Sequence, residues 1–360
     1  MLKKVLILIF FILFVGQGYC QSDTIQLIKP TGNYAVGTSV YEWIDESRSM
    51  KVGSNFVQQR AIVSQFWYPI TSKNNLTKAP YAALSKDYQK TIAHSFLRAP
   101  IAQNLNKAPL IVIVPGRGTE RFLYTVMAEE LASQGFVVVS VDMPELGYVT
   151  YQDGFTLYPS DEFKTPNGMM AGPYERVDEF YEKPTEIGYR DLEFVIRNIK
   201  GLNAKAFENK IDLKNIGVFG HSLGGRIAGE FTSRCNKVKA LATMEGIPPR
   251  DVRYEGKIKA PALMLCSSGT LKYALDNYNS FTENRKNTVY LVELEGFGHN
   301  SLTDNPLIYP NNFNYEITPK KALEISRTLL SAFFREFLLG IKDNYEANSI
   351  MEYVKSIKYE

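Results

Sequence analysis

Apolar positions along the chain fall into two kinds of run. Continuous apolar stretches of strand length, rich in β-branched residues, lie at 61–68, 110–114, 136–141, 216–219, 238–243, 262–266 and 288–294. Between several of them the apolar residues recur at helical spacing instead, near 120–133, 186–200, 225–234 and 320–340. An unbroken apolar strand is the signature of a strand covered on both faces, which is how parallel sheets are built. The alternation therefore predicts right-handed βαβ units and an α/β fold, with a mostly parallel central sheet flanked by helices. No internal repeat or low-complexity segment interrupts it.

One interval breaks the rhythm. Residues 144–185 separate a strand from its helix by over forty positions, too many for an ordinary βα loop. The stretch is rich in rings: Tyr148, Tyr151, Phe155, Tyr158, Phe163, Tyr174, Phe180 and Tyr181, with Met169 and Met170 together. It reads as a lid-like insertion over a site, one wall of an acyl or alcohol pocket. A structural flap packed elsewhere is the competing reading.

The first twenty residues are of another kind. Lys3 and Lys4 precede an apolar stretch from Val5 to Val15, and Gly16-Gln-Gly-Tyr-Cys ends it before Gln21. That pattern is a Sec signal peptide and is too short for a membrane span, which predicts a secreted or periplasmic protein. Gln17, Gly18 and Tyr19 fit a lipidation box poorly, so simple cleavage near Cys20 is expected. Residues 21–360 then form a single catalytic domain. Removal of two lysines takes the balance from 41 basic and 38 acidic residues to 39 and 38. Such a chain offers nucleic acid no electrostatic attraction. Cys235 and Cys266 remain; an oxidising compartment permits a disulfide between them, and two buried thiols fit equally well. No Cys/His cluster has metal-ligand spacing, and no cofactor is implied.

The chemistry is concentrated in Ile216-Gly-Val-Phe-Gly-His-Ser-Leu-Gly-Gly, a short apolar strand running into Gly-His-Ser-Leu-Gly with a helix behind it. In a G-x-S-x-G elbow the serine sits on a strained strand-to-helix turn, which nominates Ser222 as a nucleophile. A glycine-rich turn without chemistry is the plain alternative. A hydroxyl needs a base, and the chain has only three histidines. His221 is inside the elbow and His94 lies upstream of the core strands, which leaves His299 in Glu295-Gly-Phe-Gly-His-Asn-Ser, after the strand at 288–294. For the acid, the loop after Ala262 to Cys266 holds no carboxylate until Asp276, whereas Val238-Lys-Ala-Leu-Ala-Thr-Met-Glu-Gly ends a strand in Glu245. Asp276 and Asp304 are the rivals. The NH groups of Arg117, in the loop Pro115-Gly-Arg-Gly-Thr after a core strand, and of Leu223 are the candidate oxyanion donors. A phosphate-binding loop there lacks both the G-K-[ST] ending and the G-x-G-x-x-G spacing.

Taken together, these segments resemble the platelet-activating factor acetylhydrolase and dienelactone hydrolase-like α/β-hydrolases, in a secreted bacterial form. The resemblance rests on Pro30-Thr-Gly-Asn-Tyr-Ala-Val-Gly-Thr, Gln65-Phe-Trp-Tyr-Pro, Pro115-Gly-Arg-Gly, Ala132-Ser-Gln-Gly-Phe-Val-Val-Val-Ser-Val-Asp, the elbow, and His299-Asn-Ser-Leu-Thr-Asp. It covers most of residues 30–340. The family's acid follows the strand after the nucleophile helix, which favours Glu245 over Asp276. Two positions depart: Glu245 stands where the family usually has aspartate, and Pro115 where it has histidine. The resemblance implies a serine carboxylic ester hydrolase with a Ser222–Glu245–His299 triad, needing no cofactor and acting on short or oxidised acyl esters, phospholipid-type esters among them. A peptidase or acyltransferase on the same scaffold, or a non-catalytic binding protein, are the alternatives, and the alcohol part of the substrate stays open.

Overall fold

The computed structural model describes residues 24–53, 56–71, 73–82, 88, 90–166, 169, 174–342 and 352–360. The leader at 1–20 and Met170 lie outside them. The N-terminal part supplies β1 (Ile25–Gln26), β2 (Ala35–Val52), β3 (Phe56–Ile70), β4 (Lys78–Pro80) and β5 (Thr91–Leu97). The core begins with β6 (Ala108–Val114), α1 (Thr125–Ser133) and β7 (Val137–Val141), followed by a small hairpin, β8 (Val149–Thr150) and β9 (Thr156–Leu157). Then come α2 (Tyr174–Ala206), β10 (Ile211–His221), α3 (Leu223–Arg234), β11 (Val238–Met244) and α4 (Arg250–Tyr254). The chain closes with β12 (Ala262–Ser267), α5 (Ser268–Glu283), β13 (Val289–Leu294), α6 (Asn305–Ile308), α7 (Pro319–Leu339) and β14 (Val354–Tyr359).

One sheet runs through the molecule in the order β1-β5-β2-β3-β7-β6-β10-β11-β12-β13-β14, with β4 on β5. Every neighbouring pair from β7 to β13 is parallel; the antiparallel pairs are β2–β3, β3–β7, β4–β5 and β13–β14. The apolar runs behave as covered strands should. Along β6, Leu110, Val112 and Val114 join the core beneath α2 and α3, with Leu192, Val195, Ile199, Ile227 and Phe231. Ile111 and Ile113 point the other way, into the core under α1 and α7 with Met127, Leu131, Leu329 and Phe333. Each of these fully buried side chains stabilises the fold by about 1.5–3 kcal/mol.

Several elements differ from the sequence reading. The early strand at 61–68 is the far half of a long antiparallel ribbon, β2–β3, whose first strand is not apolar enough to stand out. The helix expected at 186–200 begins at Tyr174, so part of the expected insertion is helical. Pro184 conceals this. Proline inside a helix removes one ladder hydrogen bond and is read as a boundary, yet α2 continues through it, and the Thr185 hydroxyl donates to Tyr181 O at 2.5 Å. The remaining insertion holds the hairpin β8–β9 and a short turn at Asp161–Phe163. Cys235 and Cys266 are both free thiols, and burial pushes the Cys266 thiol well up. Among the described residues no helix is long and apolar enough to cross a membrane, and no group of three or more His, Cys, Asp or Glu could hold a metal ion.

Candidate active site

The ends of β10, β11 and β13 carry the site, with β12 between the last two. β10 and β11 are parallel and pair His221 with Met244, so the residues that follow, Ser222 and Glu245, leave the sheet at the same level. Ser222 sits at φ 54°, ψ −122°, a conformation L-residues avoid, at the N-cap of α3. The neighbouring glycines make this turn sterically possible. A Cβ on Gly224 would lie 2.0 Å from Val114 O, and one on Gly220 2.2 Å from Gly224 O, so helix and strand close on each other only without side chains there.

His299 arrives on the loop after β13. Its Nε2 lies 3.0 Å from Ser222 Oγ, and its Nδ1 lies 3.3 Å from Glu245 Oε2. The Glu245 side chain is 1% exposed and that of His299 48%. Glu245 is held from behind as well: Oε1 accepts from the Ser267 NH, and Oε2 from the Thr270 hydroxyl. Burial pushes the Glu245 carboxyl up, but the hydrogen bond and charge of His299, with the Thr270 and Ser267 donors, outweigh it and hold the group below the usual carboxylate range. The structure thus brings Ser222, His299 and Glu245 together.

The rival acids lie elsewhere. Asp276 is exposed on α5. Asp304 is fully buried at the start of α1, where it accepts from the Tyr81 hydroxyl and the Thr125 NH, both at 3.0 Å. His94 is remote too, its Nε2 2.8 Å from Leu27 O. His221 is buried, and the elbow directs its ring away from the nucleophile toward Tyr124.

A cavity of about 720 Å³ opens over Ser222. Arg117 and Leu223 both line it. As the first residue of α3, Leu223 carries an NH that its helix leaves without an acceptor. Of the expected insertion, Thr165, Tyr174, Val177 and Tyr181 form a wall, and Tyr273 of α5 faces the same space. The other rings do different work: the Tyr151 hydroxyl donates to Ala61 O, and Tyr158 is 69% exposed. Phe163 takes part only through its carbonyl, which accepts from Arg117 Nε. A larger groove of about 1630 Å³ runs along α2, but mixed charges line it and Ser222 does not.

The wall is anchored by a charge cluster the sequence does not disclose. Asp178, in the first turns of α2, is 7% exposed and pairs with both Arg226 of α3 and Arg253 of α4. Arg253 is further bound by Pro248 O and Asn277 Oδ1. Breaking such a buried network leaves an uncompensated charge, at a cost of about 3–5 kcal/mol. Thr270, Ser267 and this cluster are invisible to motif reading because each acts through tertiary contact.

A parallel sheet flanked by helices, with a strained serine between strand and helix and a histidine after a later strand, defines an α/β-hydrolase fold. Residues 95–299, more than half of the chain, match the dienelactone hydrolase family, and residues 21–151 match platelet-activating factor acetylhydrolase, isoform II. The chain belongs to the dienelactone hydrolase family. It is 22% identical over 282 residues to a platelet-activating factor acetylhydrolase of Gallus gallus, an alignment covering 68% of this chain and 66% of that one. Among solved structures, a ferulic acid esterase from Streptomyces cinnamoneus superposes with a TM-score of 0.76 at 22% identity, over 93% of this chain and 99% of the other. At that identity the likeness is one of fold.

Proposed function

We propose that the protein is a serine carboxylic ester hydrolase in which Ser222 attacks the ester carbonyl. The observation that carries the proposal is the continuous hydrogen-bonded line Ser222 Oγ to His299 Nε2 at 3.0 Å and His299 Nδ1 to Glu245 Oε2 at 3.3 Å. His299 takes the serine proton as the tetrahedral intermediate forms, then gives it to the leaving alcohol, and the acyl-serine remains. Water, deprotonated by the same imidazole, releases the acid. The Arg117 and Leu223 NH groups receive the oxyanion. Glu245 orients the ring and stabilises its cationic form. Labelling by a fluorophosphonate, with the adduct mapped to Ser222, tests the reading; an unlabelled protein overturns it.

Small or short-chain acyl esters, phospholipid-type esters included, are the substrates proposed. Support comes from a cavity of about 720 Å³ walled by Tyr174, Val177, Tyr181 and Tyr273. Burial pushes the Tyr174 phenol up to about 12, which keeps that ring uncharged. The curated relative is a platelet-activating factor acetylhydrolase and the structural neighbour a ferulic acid esterase, which agrees with ester chemistry. A panel of p-nitrophenyl esters of rising chain length checks the acyl limit. Export with cleavage near Cys20 belongs to the same reading, and N-terminal sequencing of the exported protein checks it.

Glu245→Gln is expected to lower kcat about a hundredfold, because an amide cannot stabilise an imidazolium. The same variant carries a pH signature. A carboxyl held below its ordinary value of 4.5 contributes stability that is complete above that value and is lost as pH falls through the depressed one. Acid unfolding of wild type should therefore steepen below about pH 4.5, and the variant should lack that component. Denaturant titrations across the acid range measure it.

A further inference from the structure

Behind the reacting groups lies a second line of hydrogen bonds that ties the loop of Arg117 to the loop of His299. It begins at Gly116. The Gly116 NH donates to Tyr124 Oη at 2.9 Å, and the Gly116 carbonyl accepts from the Thr119 hydroxyl at 2.7 Å and the Thr119 NH at 3.2 Å. That carbonyl belongs to the same planar peptide unit as the Arg117 NH, so fixing the oxygen fixes the direction of the NH. Tyr124 Oη lies 2.9 Å from His221 Nδ1, and His221 Nε2 lies 2.8 Å from the carbonyl oxygen of His299.

The proton positions follow from the acceptors. A carbonyl only accepts, so His221 Nε2 carries hydrogen and donates to His299 O. Burial, with the nearby His299 charge, pushes the His221 imidazole down to about 3, so the ring is neutral and its Nδ1 accepts from the Tyr124 hydroxyl. Tyr124 and His221 are 0% and 1% exposed. The contact is tight as well: a Cβ on Gly116 would lie 2.8 Å from His221 Nδ1.

We infer that Thr119, Tyr124 and His221 are positioning residues that hold the Gly116–Arg117 peptide in its oxyanion-binding orientation and lock it to the histidine loop. The inference rests on the ester-hydrolase reading above. It explains why a polar, titratable ring occupies the interior of the elbow: a hydrocarbon there could neither brace the His299 carbonyl nor receive Tyr124.

The test uses variants that remove one hydroxyl each. Thr119→Val and Tyr124→Phe should lower kcat for p-nitrophenyl acetate by about tenfold or more, with KM within about twofold of wild type. Inhibition by an alkyl trifluoromethyl ketone, whose serine adduct carries an oxyanion, should weaken by the same factor. Thr119→Ser should restore both. A merely structural role lowers the melting temperature but leaves the inhibition constant in place. Wild-type kcat and inhibition in both variants, or a fall in kcat with unchanged inhibition, overturns the inference while the hydrolase reading stands. A wild-type protein that forms no adduct with the ketone overturns both.

Discussion

Ser222→Ala is expected to reduce ester hydrolysis by about 10⁶-fold in kcat, because covalent catalysis is lost and only the oxyanion donors and substrate binding remain. The fold should survive. Ser222 donates to a half-exposed histidine, and its strained backbone is imposed by its neighbours and not by its own hydroxyl. The variant should therefore melt within a few degrees of wild type and bind the product acid as before. Turnover of p-nitrophenyl acetate within tenfold of wild type defeats the assignment.

His299→Ala should be nearly as severe, a loss of about 10⁴-fold or more, since members of a catalytic unit fail together. His94→Ala is the control. The His94 ring touches Leu27 O near the edge of the sheet, on the far side of β2 and β3 from the elbow. Its removal should affect stability alone. Equal losses of kcat from the two substitutions indicate general instability and remove His299 from its role.

The strands that carry these groups are legible in the sequence because parallel strands are covered on both faces and so read as unbroken apolar runs. The elbow is legible because steric necessity writes glycine at 220 and 224. Other parts are hidden for physical reasons. β2 and β14 are half-polar strands at or near the borders of the sheet, where no apolar run is demanded. α2 is cut by Pro184. The acid is the most instructive case. The stretch expected as a loop after Cys266 has no carboxylate and is no loop: Ser267 ends β12 and Thr270 lies in the first turn of α5, and these two are the donors that hold Glu245. The longer side chain of glutamate, starting one strand earlier, reaches the place framed by the junction of β12 and α5. The sequence marks Glu245 by its strand end; it cannot mark two hydroxyl-bearing residues whose role is to meet it.

The 33-residue helix α2 spans about 50 Å, and only its first turns touch the cavity. Ser222, Glu245 and His299 follow the ends of β10, β11 and β13, whereas the facing wall comes mainly from Thr165 and that helical start, with Tyr273 of α5 beside them. On the proposed function, catalysis and most of substrate choice are thus encoded in separate stretches of chain. Substitutions between 165 and 181 can accumulate without disturbing the reaction, provided Asp178 keeps its two arginines. On that function, a lineage carrying this scaffold can shift from one ester toward another largely by drift in one segment, with the inherited chemistry intact.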